Sequence, residues 1–227
     1  MNFRLISLAI YSTYLTNKFG ILLKKAKTKS QKMQLRNEYA KTLFKKLNIT
    51  LEIKNKEKIP EDGKYLLISN HKSIIDPLIV ELALEQSNIY GHWIAKKELY
   101  NSFFFGLFTR NAGSILLDRE SKNMSSFFKD VKDVVKEGHS IFIFPEGTRN
   151  KEDTPISNFK EGARLIALKN RLPILPVYIK TNANLVLKEA INNKAQNLVI
   201  QIEIGDIIDY KDKTALEDNY KKIFNLF

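Results

Sequence analysis

The rhythm of apolar and polar positions along the 227 residues changes near residue 58. Residues 3–23 are mostly apolar, and an uncharged stretch of 13 residues, 5–17, lies between Arg4 and Lys18. Leu35, Tyr39, Leu43 and Leu47 then recur at four-residue spacing, the apolar stripe of a helix. Beyond residue 58, short apolar runs suited to strands alternate with helix-like segments. Residues 65–69 precede a helical 77–85, and 91–95 precede an aromatic segment at 99–108. Residues 114–117 precede a helical 124–136, and 140–144 a helical 159–168. Residues 174–179 and 198–204 read as further strands. Strands separated by helical crossovers predict an α/β fold, a mixed, partly parallel β-sheet flanked by helices. Two parts are expected: a helical N-terminal segment, 1–58, and an α/β domain, 59–227.

Charge sharpens this division. Residues 1–58 carry 14 Lys/Arg against 3 Asp/Glu, a net +11, whereas residues 59–227 carry 23 against 22. Nearly all of the chain's +12 therefore sits beside its most continuous apolar stretch. Lys24, Lys25, Lys27, Lys29 and Lys32 follow that stretch directly. A span of hydrocarbon needs about 20 apolar residues. The shorter run fits a helix lying in an interface, where each basic residue near an anionic surface contributes about 1 kcal/mol. An N-terminal membrane-associated two-helix segment is the expectation, and lying on, dipping into or crossing the bilayer all stay open. A secretory signal fits by shape, but no small-x-small cleavage site follows.

The absence of cysteine excludes disulfides, thiolate metal sites and a cysteine nucleophile, and agrees with a reducing compartment. His92 and His139 have no carboxylates at ligand spacing, so no metal is expected. Nucleic acid is not an expected partner: there is no zinc spacing, aromatic RNA-binding signature or recognition helix.

The stretch "ISNHKSIIDPLIV", residues 68–80, puts one of only three histidines at the C-terminal end of a predicted buried strand. Ligands bind at that end of open α/β sheets. Asp76-Pro77 reads as a helix start. In one continuous helix His71 and Asp76 would point about 140° apart. A loop that doubles back lets the carboxylate reach one imidazole nitrogen and leaves the other as a base for a hydroxyl. Taken alone, the stretch is equally compatible with a capping aspartate beside a surface histidine. A second stretch, "IFIFPEGTRN", residues 141–150, again ends a strand, here with a glycine turn and with Thr148 and Arg149 as donors suited to phosphate oxygens.

Together "NHKSIIDP" and "FPEGTRN" resemble the paired motifs NHxxxxD and FPEGTR of the glycerolipid acyltransferase family. "AGSILLDRES" (112–121) and "LPILPVYI" (172–179) resemble its second and fourth blocks, in order and spacing. "WIAKKEL" and "FKEGA" agree as connecting text, and the likeness covers roughly residues 60–205. Leu117 stands where an aromatic residue or isoleucine often precedes the Asp-Arg pair.

The pattern is most similar to the 1-acylglycerol-3-phosphate acyltransferases. The resemblance implies a glycerol-3-phosphate acyltransferase-like fold. It also implies acyl transfer from a thioester to the hydroxyl of lysophosphatidic acid, on the cytoplasmic face of the cell membrane. His71 is then the general base and Asp76 its orienting acid. Glu146, Gly147, Thr148 and Arg149, with Arg119, hold the acceptor's phosphate and glycerol, Lys96 assists, and backbone N–H groups near the 71–76 turn meet the oxyanion. No bound cofactor is implied; acyl-CoA or acyl carrier protein serves as donor. No GxSxG elbow suggests a serine nucleophile. Two alternatives remain: another lysolipid acceptor, such as a lysophospholipid or acyl-ornithine, and a non-catalytic basic protein of membrane surfaces.

Overall fold

The structure, a computed structural model, describes residues 3–121, 123–193 and 196–227. The chain opens with α1 (Phe3–Lys25) and α2 (Lys29–Leu47). A capping box starts α2: the N–H of Gln31 donates to Thr28 Oγ1, and the Gln31 side chain accepts from the N–H of Thr28. Asn48, left-handed at φ 55°, ends it.

Residues 49–54, expected within the helical segment, instead form a strand, β1 (Ile49–Lys54). The charge shift at residue 58 therefore marks no boundary in the sheet. Ile49, Leu51 and Ile53 alternate with Thr50, Glu52 and Lys54, a period of two that suits a strand.

The remaining elements follow in order: β2 (Leu66–Ser69), α3 (Asp76–Ala83), β3 (Gly91–Lys96), α4 (Lys97–Tyr100), α5 (Gly106–Asn111), β4 (Ile115–Leu117) and α6 (Ser125–Lys136). Then come β5 (Ser140–Ile143), α7 (Gly162–Asn170), β6 (Ile174–Ile179), α8 (Ala183–Asn192), β7 (Leu198–Ile204) and α9 (Leu216–Phe224). The aromatic segment expected at 99–108 is two short helices around a turn. Ser102 Oγ accepts from the N–H groups of Phe104 and Phe105, and Gly106 donates to the Ser102 carbonyl at 2.8 Å. A serine that satisfies nearby backbone in this way competes with helix continuation.

Among the described residues the seven strands form one sheet, ordered β1-β7-β6-β2-β5-β3-β4. Strands β6, β2, β5, β3 and β4 run parallel; β7 is antiparallel to β6, and β1 runs with β7. The sheet is thus mixed. Strand β3 changes partner midway: Gly91–Trp93 pair with β5 and Ile94–Lys96 with β4. The C-terminal half of β3 thus pairs away from β5, at the edge of the sheet where the chain runs on to His71 and Arg149.

Helices cover both faces, as strands buried on both sides require. Leu67, Phe142, Leu175 and Val177 face α1, α2, α3 and α8, whereas Leu66, Ile68, Ile141 and Ile174 face α6, α7 and α9. The N-terminal helices share the core: Leu15, Phe19, Tyr39, Leu43 and Phe44 pack with the first of these sets. Arg36 of α2 is buried and ion-paired with Glu81 of α3, and it donates to the Gly91 carbonyl at 2.8 Å. Burial works against its charge, but Glu81 and Tyr90 outweigh that and leave the guanidinium's pKa raised. A buried cation this well paired fixes α2 against α3 and β3.

Helix α1 is apolar on two sides. Leu8, Leu15, Phe19 and Leu23 face the core, while Phe3, Ile6, Ile10, Tyr14 and Ile21 form a stripe exposed to solvent. Among the described residues no helix is long and apolar enough to cross a membrane.

Candidate active site

The four parallel strands β2, β5, β3 and β4 release their C-terminal ends along one edge of the sheet. They deliver His71, Glu146–Arg149, Lys96 and Arg119 respectively. The turn after β2 doubles back, which brings the histidine and aspartate together. His71 Nδ1 lies 2.8 Å from Asp76 Oδ2. That oxygen also accepts from the N–H groups of Lys72 and Ser73, both at 2.7 Å. An ionised carboxylate accepts, so Nδ1 carries the proton and Nε2 is the free base. The Asp76 side chain is 1% exposed and the His71 side chain 18%.

Asp76 does not cap its helix. Ile75 occupies the N-cap, Asp76 opens the first turn, and the carboxylate is spent on the preceding loop. A group buried this deeply is held by three donors on one oxygen, and only the ring of His71 reaches solvent.

The imidazole lies flat on Phe144, with centroids 4.0 Å apart and planes 9° apart. Phe144 stacks in turn on Trp93 at 4.8 Å, and Trp93 Nε1 donates to Glu81 Oε1 at 2.8 Å. A continuous line of contacts therefore runs from the buried Arg36–Glu81 pair to the histidine ring.

Glu146, expected among the acceptor-binding residues, makes its hydrogen bonds within the protein. Its side chain is 2% exposed and faces protein on every oxygen. Oε1 accepts from the His71 N–H at 2.6 Å, and Oε2 accepts from Ser157 N–H and Oγ at 2.7 and 2.5 Å. Burial pushes its carboxyl pKa up against those donors. Three protein donors take three of the roughly four lone-pair positions of this carboxylate, and its charge would repel a phosphate. It ties the 146–157 loop to the histidine backbone, and Asn150 N–H completes the tie by donating to the His71 carbonyl at 2.6 Å. The N–H groups of 71, 72 and 73 all end on carboxylates, which removes them as oxyanion donors.

The cations expected to bind phosphate gather at neighbouring strand ends. Thr148 and Arg149 are exposed in the turn after β5. Arg119 Nη2 donates to the Gly147 carbonyl at 2.5 Å. Gly147 has φ +73°, which calls for glycine, and a Cβ there would lie 2.8 Å from Arg119 Nη2 and push the guanidinium's end aside. Lys96, at the end of β3, has its pKa lowered first by burial and then by Arg119, with Arg149 adding to it and Glu98 opposing. Three positive groups from three strand ends therefore feel one another, and an anion among them relieves that repulsion. Among the described residues, no group of three or more His, Cys, Asp or Glu side chains is placed to hold a metal ion.

Four supporting residues escape sequence reasoning: Asn70 (quoted without a role), Phe144, Ser157 and Tyr220. Asn70 is buried at the end of β2, and its side chain donates to the Ile179 carbonyl at 3.0 Å and accepts from the Ile179 N–H at 2.8 Å. Its own N–H donates to the Tyr220 hydroxyl at 3.3 Å, which donates to the Val177 carbonyl at 2.7 Å. This clamp fastens the strand end that carries His71 to β6.

The family model described as "Acyltransferase" matches residues 50–180. A 1-acyl-sn-glycerol-3-phosphate acyltransferase of Helicobacter pylori J99 is 41% identical over 128 residues, 55% of this chain and 53% of that protein. The protein so named in Bacillus subtilis 168 is 32% identical over 126 residues, 56% of this chain and 60% of the other. That of Borreliella burgdorferi B31 is 33% identical over 164 residues, 71% and 62%. The matches span about half to three-fifths of these relatives' length. The crystal structure of the 1-acyl-sn-glycerophosphate (LPA) acyltransferase PlsC from Thermotoga maritima superposes with a TM-score of 0.69 at 20% identity, covering 98% of this chain and 93% of that one. That likeness shows a shared fold, and the family model covers more than half of the sequence, including both strand-end motifs. The chain belongs to the acyltransferase family.

Proposed function

We propose that this protein transfers a fatty acyl group from an acyl thioester to the free hydroxyl of lysophosphatidic acid, yielding phosphatidic acid. The observation that carries the reading is the 2.8 Å bond between His71 Nδ1 and Asp76 Oδ2, on a ring whose other nitrogen is left free at the edge of the sheet. The names of the relatives support the choice of acceptor, and the cations Lys96, Arg119 and Arg149 suit its phosphate.

His71 Nε2 takes the hydroxyl proton as the acceptor oxygen attacks the thioester carbonyl. Asp76, buried and ionised, stabilises the imidazolium and holds the tautomer. The tetrahedral intermediate collapses, the C–S bond breaks, and the imidazolium returns its proton to the leaving thiolate. A thioester is already activated, so no acyl-enzyme is required. Arg149 and Arg119 hold the phosphate. Acyl-CoA or acyl carrier protein is the donor. The basic N-terminal segment rests on an anionic membrane surface, at the cytoplasmic face of the cell membrane, and so brings the site to a lipid that stays in its bilayer.

The test is turnover of lysophosphatidic acid with each thioester by the purified chain. We expect His71→Ala and Asp76→Asn to lower kcat about 10³-fold, within the usual range for a general base. Unchanged turnover in His71→Ala removes the mechanism.

A further inference from the structure

Two of the most exposed apolar side chains lie outside the N-terminal segment altogether. Phe103 is 85% exposed and Phe104 52% exposed, in the turn between α4 and α5. Their rings meet edge to face, 5.4 Å apart at 87°. The turn beneath them is ordered: Ser102 Oγ binds two of its N–H groups, and Arg110 Nη1 donates to the Tyr100 carbonyl at 2.7 Å. A rigid turn that holds two large apolar side chains in water gains nothing within the chain itself.

The turn is also fixed to α1. Gly20 lets α5 approach so closely that a Cβ there would lie 3.0 Å from both Leu107 Cγ and Phe108 N. Asn111 Nδ2 then donates to the Gly20 carbonyl at 2.9 Å. Next to Gly20 stands Ile21, part of the exposed stripe of α1, and Lys18, Lys24, Lys25 and Lys27 are exposed around the same half of that helix. Strand β3 brings the turn to the edge of the sheet that carries the catalytic ring, because Lys96 and Phe103 are separated only by α4 and its turn.

We propose that Phe103 and Phe104 insert into an anionic lipid leaflet as a second anchoring point, forming one rigid docking face with the outer stripe of α1. This rests on the membrane reading above and extends it from residues 1–58 to the α4–α5 turn. The occupant is a lipid surface because the tip presents two bare phenyl rings and the helix it is fixed to carries an exposed apolar stripe with exposed lysines beside it. Apolar insertion flanked by basic residues is the physical pattern of interfacial binding to anionic lipid. Two contact points instead of one fix the tilt of the domain, so the edge bearing His71 faces the bilayer from which the acceptor comes.

The experiment uses the full chain with sucrose-loaded vesicles of phosphatidylcholine mixed with phosphatidylglycerol, and with vesicles of phosphatidylcholine alone. The double variant Phe103→Ser/Phe104→Ser is expected to sediment with the mixed vesicles at least roughly tenfold less well, since burying one phenylalanine contributes about 1.5–3 kcal/mol. Its melting temperature stays unchanged, because both rings are exposed. Phe103→Trp, compared with the parent carrying Trp93 alone, gains emission that is quenched by brominated acyl chains. Unchanged partitioning, or no added quenching, overturns the proposal. So does a change in oligomeric state of the double variant without vesicles, which assigns the tip to a second copy. Turnover of a short-chain, water-soluble lysophosphatidic acid separates this from the functional reading. Activity on it with no effect of the double variant on vesicle binding sinks the inference alone. No activity together with lost vesicle binding sinks the reading and leaves the docking face standing.

Discussion

The imidazole of His71 and the phenyl ring of Phe144 are parallel to within 9°, 4.0 Å apart. A hydrogen bond to Asp76 fixes one point of the histidine ring, and the stacked face fixes its plane. Phe144→Ala leaves the bond and removes the plane, so the ring can rotate about it. Turnover is expected to fall about tenfold with little change in KM for the acceptor, because geometry at the base matters to the reacting atoms and not to phosphate binding. Phe144→Tyr keeps the aromatic face and is expected to retain most of the rate. Equal rates for Phe144→Ala and the parent would show that the stack has no part in orienting the base.

Glu146 binds three protein donors, and its carboxyl is buried. Glu146→Gln keeps one acceptor oxygen and turns an amide NH₂ toward groups that themselves donate. Leaving such donors opposed costs about 1–3 kcal/mol, so the urea midpoint falls and kcat falls with it as the His71 backbone loosens. A residue that held the acceptor's phosphate would act the other way, raising KM at unchanged stability. The two parameters measured together decide which role Glu146 has.

Sequence pattern anticipated those parts of this fold whose causes are local. Residues 66–69 are apolar without interruption because both faces of β2 are covered, and 125–136 alternate as a helix with one buried side does. The contact between His71 and Asp76 was within reach of sequence reasoning because only four residues separate them, and a loop that doubles back brings them together. What escaped was set by distant partners. Nothing beside Tyr220 announces that its hydroxyl meets Asn70 from 150 residues away. The packing of Glu146 was hidden for the same reason: its neighbours in sequence are phosphate-binding types, and its neighbours in space are Ser157 and the backbone of His71. Strand β1 lies inside the basic N-terminal segment, and its alternation of Ile49, Leu51 and Ile53 with polar residues is the local signal that charge obscured.

His92 connects stability to pH. Its Nδ1–H donates to the Gly113 carbonyl at 2.6 Å, and Nε2 meets His139 Nδ1 at 3.1 Å. Burial pushes the imidazole down to about 4, the Gly113 carbonyl pulls it back, and Arg36, His139 and Lys32 push it further down. The unfolded chain takes up this proton near 6.5, the ordinary value. Between those limits the unfolded state binds the proton and the folded state does not. The stabilisation is therefore complete above pH 6.5 and is lost as pH falls towards about 4. From pH 7 to pH 5 this one group is expected to remove about 2 kcal/mol. The raised Glu146 carboxyl acts in the opposite sense just above its ordinary range. The clean measurement is thus the difference in urea unfolding between the parent and His92→Gln at the two pH values. A difference independent of pH would show that His92 is free to charge within the fold.

Gly147 and Arg119 give the sharpest test of the anion site. The glycine's carbonyl receives Arg119 Nη2, and its φ of +73° and missing Cβ are both used. In Gly147→Ala the methyl group would lie 2.8 Å from Arg119 Nη2, so the exposed guanidinium must shift from its place on the Gly147 carbonyl, and the left-handed backbone adds about 1 kcal/mol of strain. KM for lysophosphatidic acid is expected to rise about tenfold with kcat largely kept, matching Arg119→Ala. Adding Gly147→Ala to Arg119→Ala then raises KM no further, because the side chain it displaces is already gone. Additive increases would instead mean that the glycine turn binds the acceptor through its own backbone and that Arg119 only happens to lie against it.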